Sequence, residues 1–374
     1  MLTSLKVTGF RNLSSLSMEG LTRVNLLVGE NNAGKTSVLE AIEILLLARS
    51  EPWVLANGPL RRGESVPLQL GEDQIPGRLD LENLFHGSDT SPESRFEILG
   101  ESSDGPRVVS CSIKPAELDR GQREPHRIRL GQPLGWSVTS PSIEGEIDRG
   151  LQTFRLPLNL SVDKLGRAPT QLVEASPRSG AEGSSEPPAL FVGTGAPAAA
   201  SIGAMWDGVV LTPEEMKVVE ALRLIQPDIE RLAWVHTPLG RGTSGMLVKL
   251  HDSDRRFPLG SMGEGIKRLL VLAMNLVKSA GGYLLVDEID TGLHYSVMVK
   301  MWKLVVETAR RLDIQIFATS HSLDCIQALA GLYENEPDVR DEISLHRIEK
   351  GAEASIRYSA DEILAAARRQ VEVR

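Results

Sequence analysis

The feature that most constrains the fold is a glycine-rich turn in the segment LLVGENNAGKTSVLEA, residues 26–41. The apolar residues before the turn are typical of a short buried strand, and apolar residues recur at helical spacing after it. Gly29, four further residues, and then Gly34, Lys35 and Thr36 complete the pattern G-x-x-x-x-G-K-[ST] in the strand-to-helix context that it requires. The sequence therefore predicts an α/β fold in which this loop joins a strand to a helix.

The chemistry of such a loop is anion binding. Gly29 and Gly34 allow the backbone to curl until several N–H groups point inward, and the helix that begins near Lys35 adds its positive dipole end. A polyphosphate fits this arrangement, with Lys35 reaching its β- and γ-phosphates and the Thr36 hydroxyl occupying one ligand position on Mg²⁺. We therefore expect a nucleoside triphosphate and Mg²⁺ as cofactors.

Composition limits the class of protein. A chain of 374 residues with 41% apolar residues can bury a large core and is long enough for two or three domains. Cys111 and Cys325 are too few for a disulfide framework, and the N-terminus lacks the apolar core of a signal peptide, so we expect a cytoplasmic protein. No apolar run is long enough to span a bilayer, which argues against membrane integration. A net charge of −9 argues against a uniformly basic nucleic-acid binder.

The chain divides into two halves of one nucleotide-binding unit around an insertion. We expect the first half at 1–60, an antiparallel β lobe with a Pro/Gly/Ser-rich insertion at 61–205, and the second half at 206–374. Short alternating strands predict the lobe, and an irregular loop is expected around 174–188. The segment TPEEMKVVEALRLI predicts a helix with Thr212 as its N-cap.

Two further strands end in chemically active side chains. The apolar run Tyr283–Val286 predicts a buried parallel strand that ends at Asp287 and Glu288. Ligands bind at the carboxyl ends of strands in open α/β sheets, so Asp287 can orient Mg²⁺ while Glu288 faces the attacking water. A second apolar run, Ile314–Ala318, leads to His321, whose imidazole could touch the γ-phosphate or its water.

A second candidate anion site precedes another helix. Ser261 and Gly263 stand before an amphipathic segment, so its N-terminus is predicted to face an anion. One chain seldom needs two such sites for one nucleotide. We therefore expect Ser261 and Gly263 to bind the γ-phosphate held by another copy, with two chains enclosing two nucleotides about a two-fold axis.

The order of these motifs resembles that of the ATP-binding-cassette (ABC) ATPases. The opening SLKVTGFRNL, the loop GENNAGKT, the segment DEIDTGLH and the segment ATSHS look like the branch that includes RecF, SMC and OLD-family proteins. The resemblance covers residues 1–48 and 255–330 well and the middle of the chain poorly. It implies a P-loop ATPase of the ABC type, with a mixed or parallel sheet, helices on both sides and the antiparallel β lobe.

The resemblance assigns roles to residues of the first half and of the carboxylate strand. It gives Mg²⁺ to Thr36 and Asp287, and the activation of water to Glu288. ATP is bound by residues of the phosphate loop, namely Gly29, Asn31, Asn32, Ala33, Gly34, Lys35, Thr36 and Ser37.

The remaining roles concern a second copy of the chain. The resemblance places Ser261 and Gly263 in a signature motif that acts on the partner's nucleotide. Asp290 to His294 correspond to the segment that crosses the dimer interface, His321 to the switch histidine, and Arg11 to an arginine that approaches the nucleotide.

Differences between this sequence and the usual motifs of the family indicate which branch it resembles and which biological role to expect. The signature reads Ser-Met-Gly-Glu, and His294 stands where many transporters carry an aspartate, so both favour the OLD-like branch over transport. Too few residues follow His321 for the TOPRIM nuclease domain of OLD proteins. Stand-alone ATPases of this type resemble subunits of phage-defence systems, so we expect a separate nuclease or toxin as partner. DNA is a further candidate partner. We also expect the chain to form a homodimer or a higher homo-oligomer and not to associate with a membrane.

Three other functions stay open at this point. ATP could be a structural cofactor of a scaffold with negligible turnover. The chain could be a transporter ATPase, which would need a coupling surface for membrane helices. A P-loop kinase or GTPase would need neither Ser261 nor dimerisation.

Overall fold

The computed structural model describes most of the chain. The described residues are 1–70, 73–88, 91, 94–114, 142–161, 174–175, 187–195, 197, 199–235 and 245–369. One of the short alternating strands that predict the lobe, HRIRL at 126–130, lies outside these residues, as does most of the loop expected around 174–188.

The described residues alternate between strands and helices. The strands are β1 (Leu2–Phe10), β2 (Leu13–Glu19), β3 (Val24–Val28), β4 (Ser65–Leu70), β5 (Asp73–Asp80), β6 (Arg95–Ser102), β7 (Arg107–Lys114), β8 (Ser142–Ile147), β9 (Gln152–Pro157), β10 (Asn159–Ser161), β11 (Glu174–Ala175), β12 (Ala189–Val192), β13 (Ile229–Val235), β14 (Gly245–Leu250), β15 (Arg256–Pro258), β16 (Tyr283–Val286), β17 (Gln315–Thr319), β18 (Ile343–Arg347) and β19 (Ile356–Tyr358). The helices are α1 (Lys35–Leu47), α2 (Val54–Arg61), α3 (Ala199–Asp207), α4 (Glu215–Leu222), α5 (Glu264–Lys278), α6 (Tyr295–Arg311), α7 (Leu323–Asn335) and α8 (Ala360–Arg369). Short 3₁₀ turns occupy Glu82–Leu84, His86–Ser88, Leu259–Met262 and Pro337–Glu342.

A six-stranded sheet carries the predicted motifs. Its order is β12-β16-β17-β3-β18-β19, and every neighbouring pair is parallel except β18 and β19. All residues of β3, β16 and β17 are buried, as expected for strands covered on both faces. The prediction of an α/β fold with a mostly parallel sheet is confirmed.

A second sheet, of seven strands, combines strands of the predicted antiparallel lobe with β1 and β2, while β4, β5 and β10 form a separate three-stranded sheet. The order of the seven-stranded sheet is β11-β9-β8-β7-β6-β1-β2, and each neighbouring pair is antiparallel. The N-terminal strand β1 therefore lies between β2 and the lobe strand β6. The division of the chain at residues 60 and 205 stays a prediction, but residues on both sides of position 60 share this one sheet.

Helices cover both faces of the parallel sheet. Val24, Leu26 and Val28 of β3 belong to a core with α5, α6 and α7, whereas Leu27 packs in a second core with α1. This second core also contains the inner face of the antiparallel sheet, so α1 is enclosed between the two sheets. Because α1 is buried along most of its length, the phosphate loop at its N-terminus is held from both sides.

One buried glutamine joins the two sheets. Gln315, the first residue of β17, accepts a hydrogen bond from the Leu2 N–H through Oε1 at 2.7 Å. Its Nε2 donates to the carbonyl oxygens of Leu2 and Thr22 at 2.7 and 2.8 Å. These bonds satisfy main-chain groups where β1 begins and just before β3, since buried backbone groups require partners.

The helix predicted from Thr212 begins later than expected. The first residue of α4 is Glu215, and the Thr212 hydroxyl accepts a bond from the Glu214 N–H at 3.3 Å in the turn before it. The hydroxyl thus stabilises a local turn, a common alternative for threonine at a helix start. None of the helices in the described ranges combines the length and the apolar character needed to cross a bilayer.

Candidate nucleotide-binding site

The phosphate loop requires glycine at two places. Gly29 has a φ of 147° and Gly34 a φ of 109°, both in the region that favours glycine. A Cβ atom on Gly29 would lie 2.3 Å from the Ile348 carbonyl oxygen, and one on Gly34 would lie 2.7 Å from Leu13 Cδ2. The loop therefore packs tightly against its surroundings, with its inner side left to the backbone N–H groups at the start of α1.

Lys35 folds back over this loop. Its Nζ donates to the carbonyl oxygens of Gly29 and Glu30 at 2.7 and 2.8 Å. Burial lowers the pKa of Lys35 below its usual value, although the carboxylates of Asp287 and Glu288 oppose this shift. The ammonium group is thus held at the mouth of the loop with two negatively charged groups nearby.

Thr36 and Asp287 meet although they are far apart in the sequence. The Thr36 hydroxyl lies 3.1 Å from each carboxylate oxygen of Asp287, and the Thr319 hydroxyl donates to Asp287 Oδ1 at 2.6 Å. This contact follows from the sheet order, because β17 lies between β3 and β16 and ends at Thr319.

These oxygens fit Mg²⁺ as the metal. Mg²⁺ prefers hard oxygen ligands and is usually bound by one or two carboxylates together with substrate phosphates. Within the described residues no group of three or more His, Cys, Asp or Glu side chains could form a complete metal cage. A single hydroxyl and a single carboxylate beside a phosphate loop instead match a Mg²⁺ site that is completed by substrate phosphates, with Thr36 and Asp287 as the protein ligands.

Glu288 and His321 follow the neighbouring strands β16 and β17, so they lie close together at the same edge of the sheet. Glu288 adopts a φ of 48°, and its N–H donates to the Thr319 hydroxyl at 2.8 Å. Glu288 Oε1 lies 3.4 Å from His321 Nδ1, and the Thr291 hydroxyl donates to Oε2 at 3.1 Å. The Glu288 side chain is 35% exposed and that of His321 is 48% exposed, so both can reach a bound water.

Arg268, which no sequence motif indicates, supports the main chain at the end of β16. Arg268 is buried in the second turn of α5, and its guanidinium donates to the carbonyl oxygens of Gly193, Asp287 and Glu288 at 2.6, 2.6 and 3.0 Å. Burial lowers its pKa, and the carboxylate of Asp287 is the strongest opposing influence. Arg268 fixes the main chain that carries both carboxylates. A basic residue on the buried face of an amphipathic helix is the signal that could have found it.

We expect Arg268→Met to reduce the free energy of unfolding by roughly 2–5 kcal/mol, because three buried carbonyl groups would lose a charged donor. Denaturant unfolding of the variant measures this loss. Lys267→Met is the matched control, since Lys267 is the neighbouring residue and pairs with the exposed Glu264. The control should change stability by less than about 1 kcal/mol. Equal effects of the two substitutions would contradict the supporting role of Arg268.

The predicted signature segment lies apart from this loop. Ser261 is exposed and donates to the Pro258 carbonyl oxygen at 2.7 Å, and no atom lies within 4 Å of a Cβ atom built on Gly263. Gly263 has a φ of 98° and directly precedes α5. Neither residue lines the cavity at the phosphate loop. The structure of one chain therefore leaves this segment open to solvent.

The segment Asp290 to His294 packs beside the signature segment. A Cβ atom on Gly265 would lie 2.6 Å from the Gly292 carbonyl oxygen, so the start of α5 touches this segment closely. Asp290 is buried, whereas His294 is exposed and caps α6 by accepting from the Ser296 N–H at 3.4 Å. The two predicted interface residues thus have different environments, and only His294 is available to a second copy in this conformation.

Arg11 lines the nucleotide cavity but is already paired. Its guanidinium forms ion pairs with Glu40 at 2.6 Å and with Glu64 at 3.2 Å, and burial lowers its pKa. Burial also raises the pKa of Glu40, with Arg11 as the main opposing influence. Contact between Arg11 and a nucleotide stays a prediction, and it would require this cluster to accommodate a phosphate group.

Asn12 is a second residue that the sequence analysis missed. Its Oδ1 accepts from the Ser37 hydroxyl at 2.8 Å, and its Nδ2 donates to the Asn32 carbonyl oxygen at 3.3 Å. The turn between β1 and β2 therefore holds the phosphate loop in place. Asn12 has no motif of its own, because its role depends on contacts with residues distant in the sequence.

A cavity of about 830 Å³ opens beside the phosphate loop. Such a volume is within the usual range of about 300–1,000 Å³ for small-molecule sites. Residues of the loop, Arg11 and Asp287 line it together with Asn83 and residues 85–88. The structure therefore brings together Arg11, Asp287 and most of the predicted loop residues around one cavity, while Ser261, Gly263, Asp290, His294, Glu288 and His321 do not line it.

Family models match two parts of the chain. Residues 1–70 match the model described as "AAA ATPase domain", and residues 221–324 match "AAA domain, putative AbiEii toxin, Type IV TA system". The first region contains the phosphate loop, and the second runs from the last two residues of α4 to just beyond His321.

Individual relatives resemble the chain over different lengths. "DNA replication and repair protein RecF" of Stutzerimonas stutzeri is 37% identical over 101 residues, which are 27% of each protein. The chain thus matches about a quarter of the length of that relative. An "ATP/GTP phosphatase" of Helicobacter pylori is 21% identical over 357 residues, covering 88% of this chain and 87% of the relative.

Among solved structures, the SMC head domain from Thermotoga maritima is 14% identical, with a TM-score of 0.42 and coverage of 96% of this chain and 98% of that one. An Smc head domain from Pyrococcus furiosus, bound to the C-terminal domain of ScpA, is 11% identical, with a TM-score of 0.48 and coverage of 99% of both chains. The family models and the RecF relatives confirm the resemblance to RecF-like ATPases that the motifs indicate.

Proposed function

We propose that this protein binds and hydrolyses ATP in a pocket shared between two copies of the chain. The observation that carries this proposal is the contact of the Thr36 hydroxyl with both oxygens of Asp287 at 3.1 Å, at the mouth of the phosphate loop. Glu288, the next residue, is placed to act on a water molecule beside it. The Helicobacter pylori relative, described as an ATP/GTP phosphatase, supports the same activity.

Each side chain of the site would have a distinct role in ATP binding or hydrolysis. Lys35 would exchange its two loop carbonyls for phosphate oxygens, while Thr36 and Asp287 would hold Mg²⁺, which supplies positive charge to the β- and γ-phosphates. Glu288 accepts a proton from water as the water oxygen attacks the γ-phosphorus and the bond to the β–γ bridging oxygen breaks. His321, 3.4 Å from Glu288, can orient that carboxylate or contact the departing phosphate.

The signature segment faces solvent, and this exposure supports a nucleotide pocket shared between two chains. The N-terminus of α5 carries a positive dipole end, and Ser261 and Gly263 before it are accessible. In a two-fold dimer each chain can present this end to the γ-phosphate on the loop of the other. Binding of ATP would then close the two chains, and hydrolysis would remove the contact that holds them together.

We further propose that this closure regulates a partner protein in the cytoplasm, either a nuclease or a toxin, in antiphage defence or DNA metabolism. One matching family model is described as a putative toxin of a toxin–antitoxin system, and the RecF relatives are described as DNA replication and repair proteins. Both descriptions fit an ATPase that works with an effector or with DNA. Slow turnover that DNA or a partner stimulates is the expected behaviour.

A mixing experiment tests the shared pocket. Lys35→Ala removes the phosphate-loop contact, and Ser261→Arg blocks the signature, so each variant alone should hydrolyse little ATP. In a mixed dimer, one site combines the intact loop of one chain with the intact signature of the other. Because half of the dimers in an equal mixture are mixed and each has one working site, activity should recover to at most about a quarter of the wild-type value, and to less where the two sites are coupled.

The outcomes of this mixing distinguish the candidate functions. Recovery of phosphate release on mixing supports the shared pocket, and lack of recovery with soluble, folded variants contradicts it. Wild-type activity in Ser261→Arg alone would mean that each chain hydrolyses ATP by itself, as a P-loop kinase or GTPase would. Binding of ATP without measurable phosphate release in the wild-type protein would favour a structural role for ATP.

A further inference from the structure

The segment 82–88 forms part of the cavity wall and is fixed to the turn after β1. The Arg11 N–H donates to the Leu84 carbonyl oxygen at 2.9 Å, and Phe10 forms an antiparallel bridge with Phe85. The Phe85 ring is buried, with its centroid 5.3 Å from that of Phe96. The side chains that this segment directs to the cavity are therefore held in defined positions.

His86 is an exposed residue of this segment, and one nitrogen of its ring has a hydrogen-bond partner. It lines the same cavity as the phosphate loop, and its Nδ1 lies 2.8 Å from the Arg11 carbonyl oxygen. The phosphate loop and Asp287 take the triphosphate, so the part of the wall that includes His86 is left to the base and ribose.

The Arg11 contact sets the tautomer of His86. A carbonyl oxygen can only accept a hydrogen bond, so Nδ1 carries the proton and donates it. In the neutral imidazole the other nitrogen, Nε2, then has a free lone pair and can only accept. In its neutral form His86 therefore offers Nε2 as an acceptor in the cavity wall, beside the phosphate loop.

We propose that His86 determines the base specificity of the nucleotide site, with Nε2 accepting a hydrogen bond from the 6-amino group of adenine. Guanine and hypoxanthine carry a carbonyl oxygen at the same position, and its lone pairs would face that of Nε2. A site built to bond a substrate N–H discriminates against an analogue that lacks it, because its polar group is left without a partner. This inference rests on the proposed nucleotide-binding function and adds the residue that selects the base.

The test compares the dissociation constants of ATP, GTP and ITP for the wild-type protein and for His86→Phe, measured calorimetrically with Mg²⁺. ITP differs from ATP only in its base, which has a carbonyl oxygen in place of the 6-amino group and a proton on N1; like ATP, and unlike GTP, it has no 2-amino group. The wild-type protein should bind ATP about tenfold more tightly than ITP or GTP, as expected for the gain or loss of one hydrogen bond. In His86→Phe, which keeps an aromatic ring, ATP binding should weaken until the three nucleotides differ by less than about twofold.

Two further variants complete the design. His251→Phe is the matched control, because His251 is exposed and does not line the cavity. It should retain the wild-type preference. His86→Gln can donate to the Arg11 carbonyl with its amide nitrogen and accept with its oxygen, so it should keep a preference for ATP even if the phenylalanine variant fails to fold.

The results separate this inference from the function on which it rests. Equal binding of the three nucleotides by the wild-type protein, preference for GTP, or an unchanged preference in His86→Phe would each overturn the role of His86 while leaving Lys35-dependent binding intact. Absence of nucleotide binding by the wild-type protein, or binding that Lys35→Ala does not weaken, would instead overturn the nucleotide site itself.

Discussion

Glu288→Gln is expected to lower the rate of ATP hydrolysis by about 10²- to 10⁴-fold, the usual contribution of a general base. Glutamine has nearly the same shape but cannot take a proton from water. It can still accept the hydrogen bond that the Thr291 hydroxyl donates to Oε2 at 3.1 Å, so the local structure should survive. ATP binding should therefore persist while phosphate release nearly stops.

The same variant should accumulate as a closed dimer. Because the γ-phosphate is no longer removed, the contact between the two chains persists, and gel filtration with ATP and Mg²⁺ should show twice the mass of the chain. Glu220→Gln is the control, since Glu220 lies on the exposed side of α4 and pairs only with Lys217 among the contacts described. An unchanged mass for Glu288→Gln under conditions where ATP is bound would contradict the clamp.

Lys35→Ala is expected to weaken ATP binding by about 10²-fold, since charge-assisted hydrogen bonds to phosphate contribute about 1.5–3 kcal/mol each. The free protein should tolerate the change well, because Lys35 bonds only to the carbonyl oxygens of Gly29 and Glu30 at the open edge of the loop. Effects on binding and on stability can thus be separated.

Thermal unfolding with and without ATP and Mg²⁺ measures this difference. A ligand that binds the folded state raises the free energy of unfolding by RT ln(1 + [L]/Kd), so the wild-type protein should be stabilised at ATP concentrations that leave Lys35→Ala unchanged. Lys217→Ala removes an exposed lysine of α4 and should respond to ATP as the wild type does. An equal shift in Lys35→Ala would mean that ATP binds elsewhere.

The sequence predicted the parts of the fold that depend on neighbouring residues. The strand, loop and helix around Gly29 to Thr36, and the buried strands β16 and β17, each form a continuous pattern with the right period and the right flanking residues. The predicted start of α4 was wrong by a few residues, because the Thr212 hydroxyl stabilises a turn before the helix and does not cap the helix. Local patterns place an element more reliably than they place its ends.

The contacts that assemble the site could not be predicted from the sequence. Arg268, Asn12 and Gln315 act through main-chain groups that are distant along the chain, and a hydrogen bond to a carbonyl oxygen leaves no pattern in the residue that provides it. The place of β1 beside β6 likewise depends on strand pairing across the chain. Motifs therefore identified Thr36 and Asp287 as partners, whereas only the fold identifies the residues that hold them in position.

The position of Arg268 on α5 has a mechanical consequence for the proposed dimer. In that dimer the N-terminal end of α5 would face the other subunit, while Arg268 in its second turn donates to the main-chain carbonyl groups of Asp287 and Glu288. A tilt of α5 on contact with the neighbouring triphosphate would therefore move the main chain that carries Asp287 and Glu288. Each subunit would then sense through one helix whether its neighbour is loaded, so the two turnovers would be coupled without a separate signalling element.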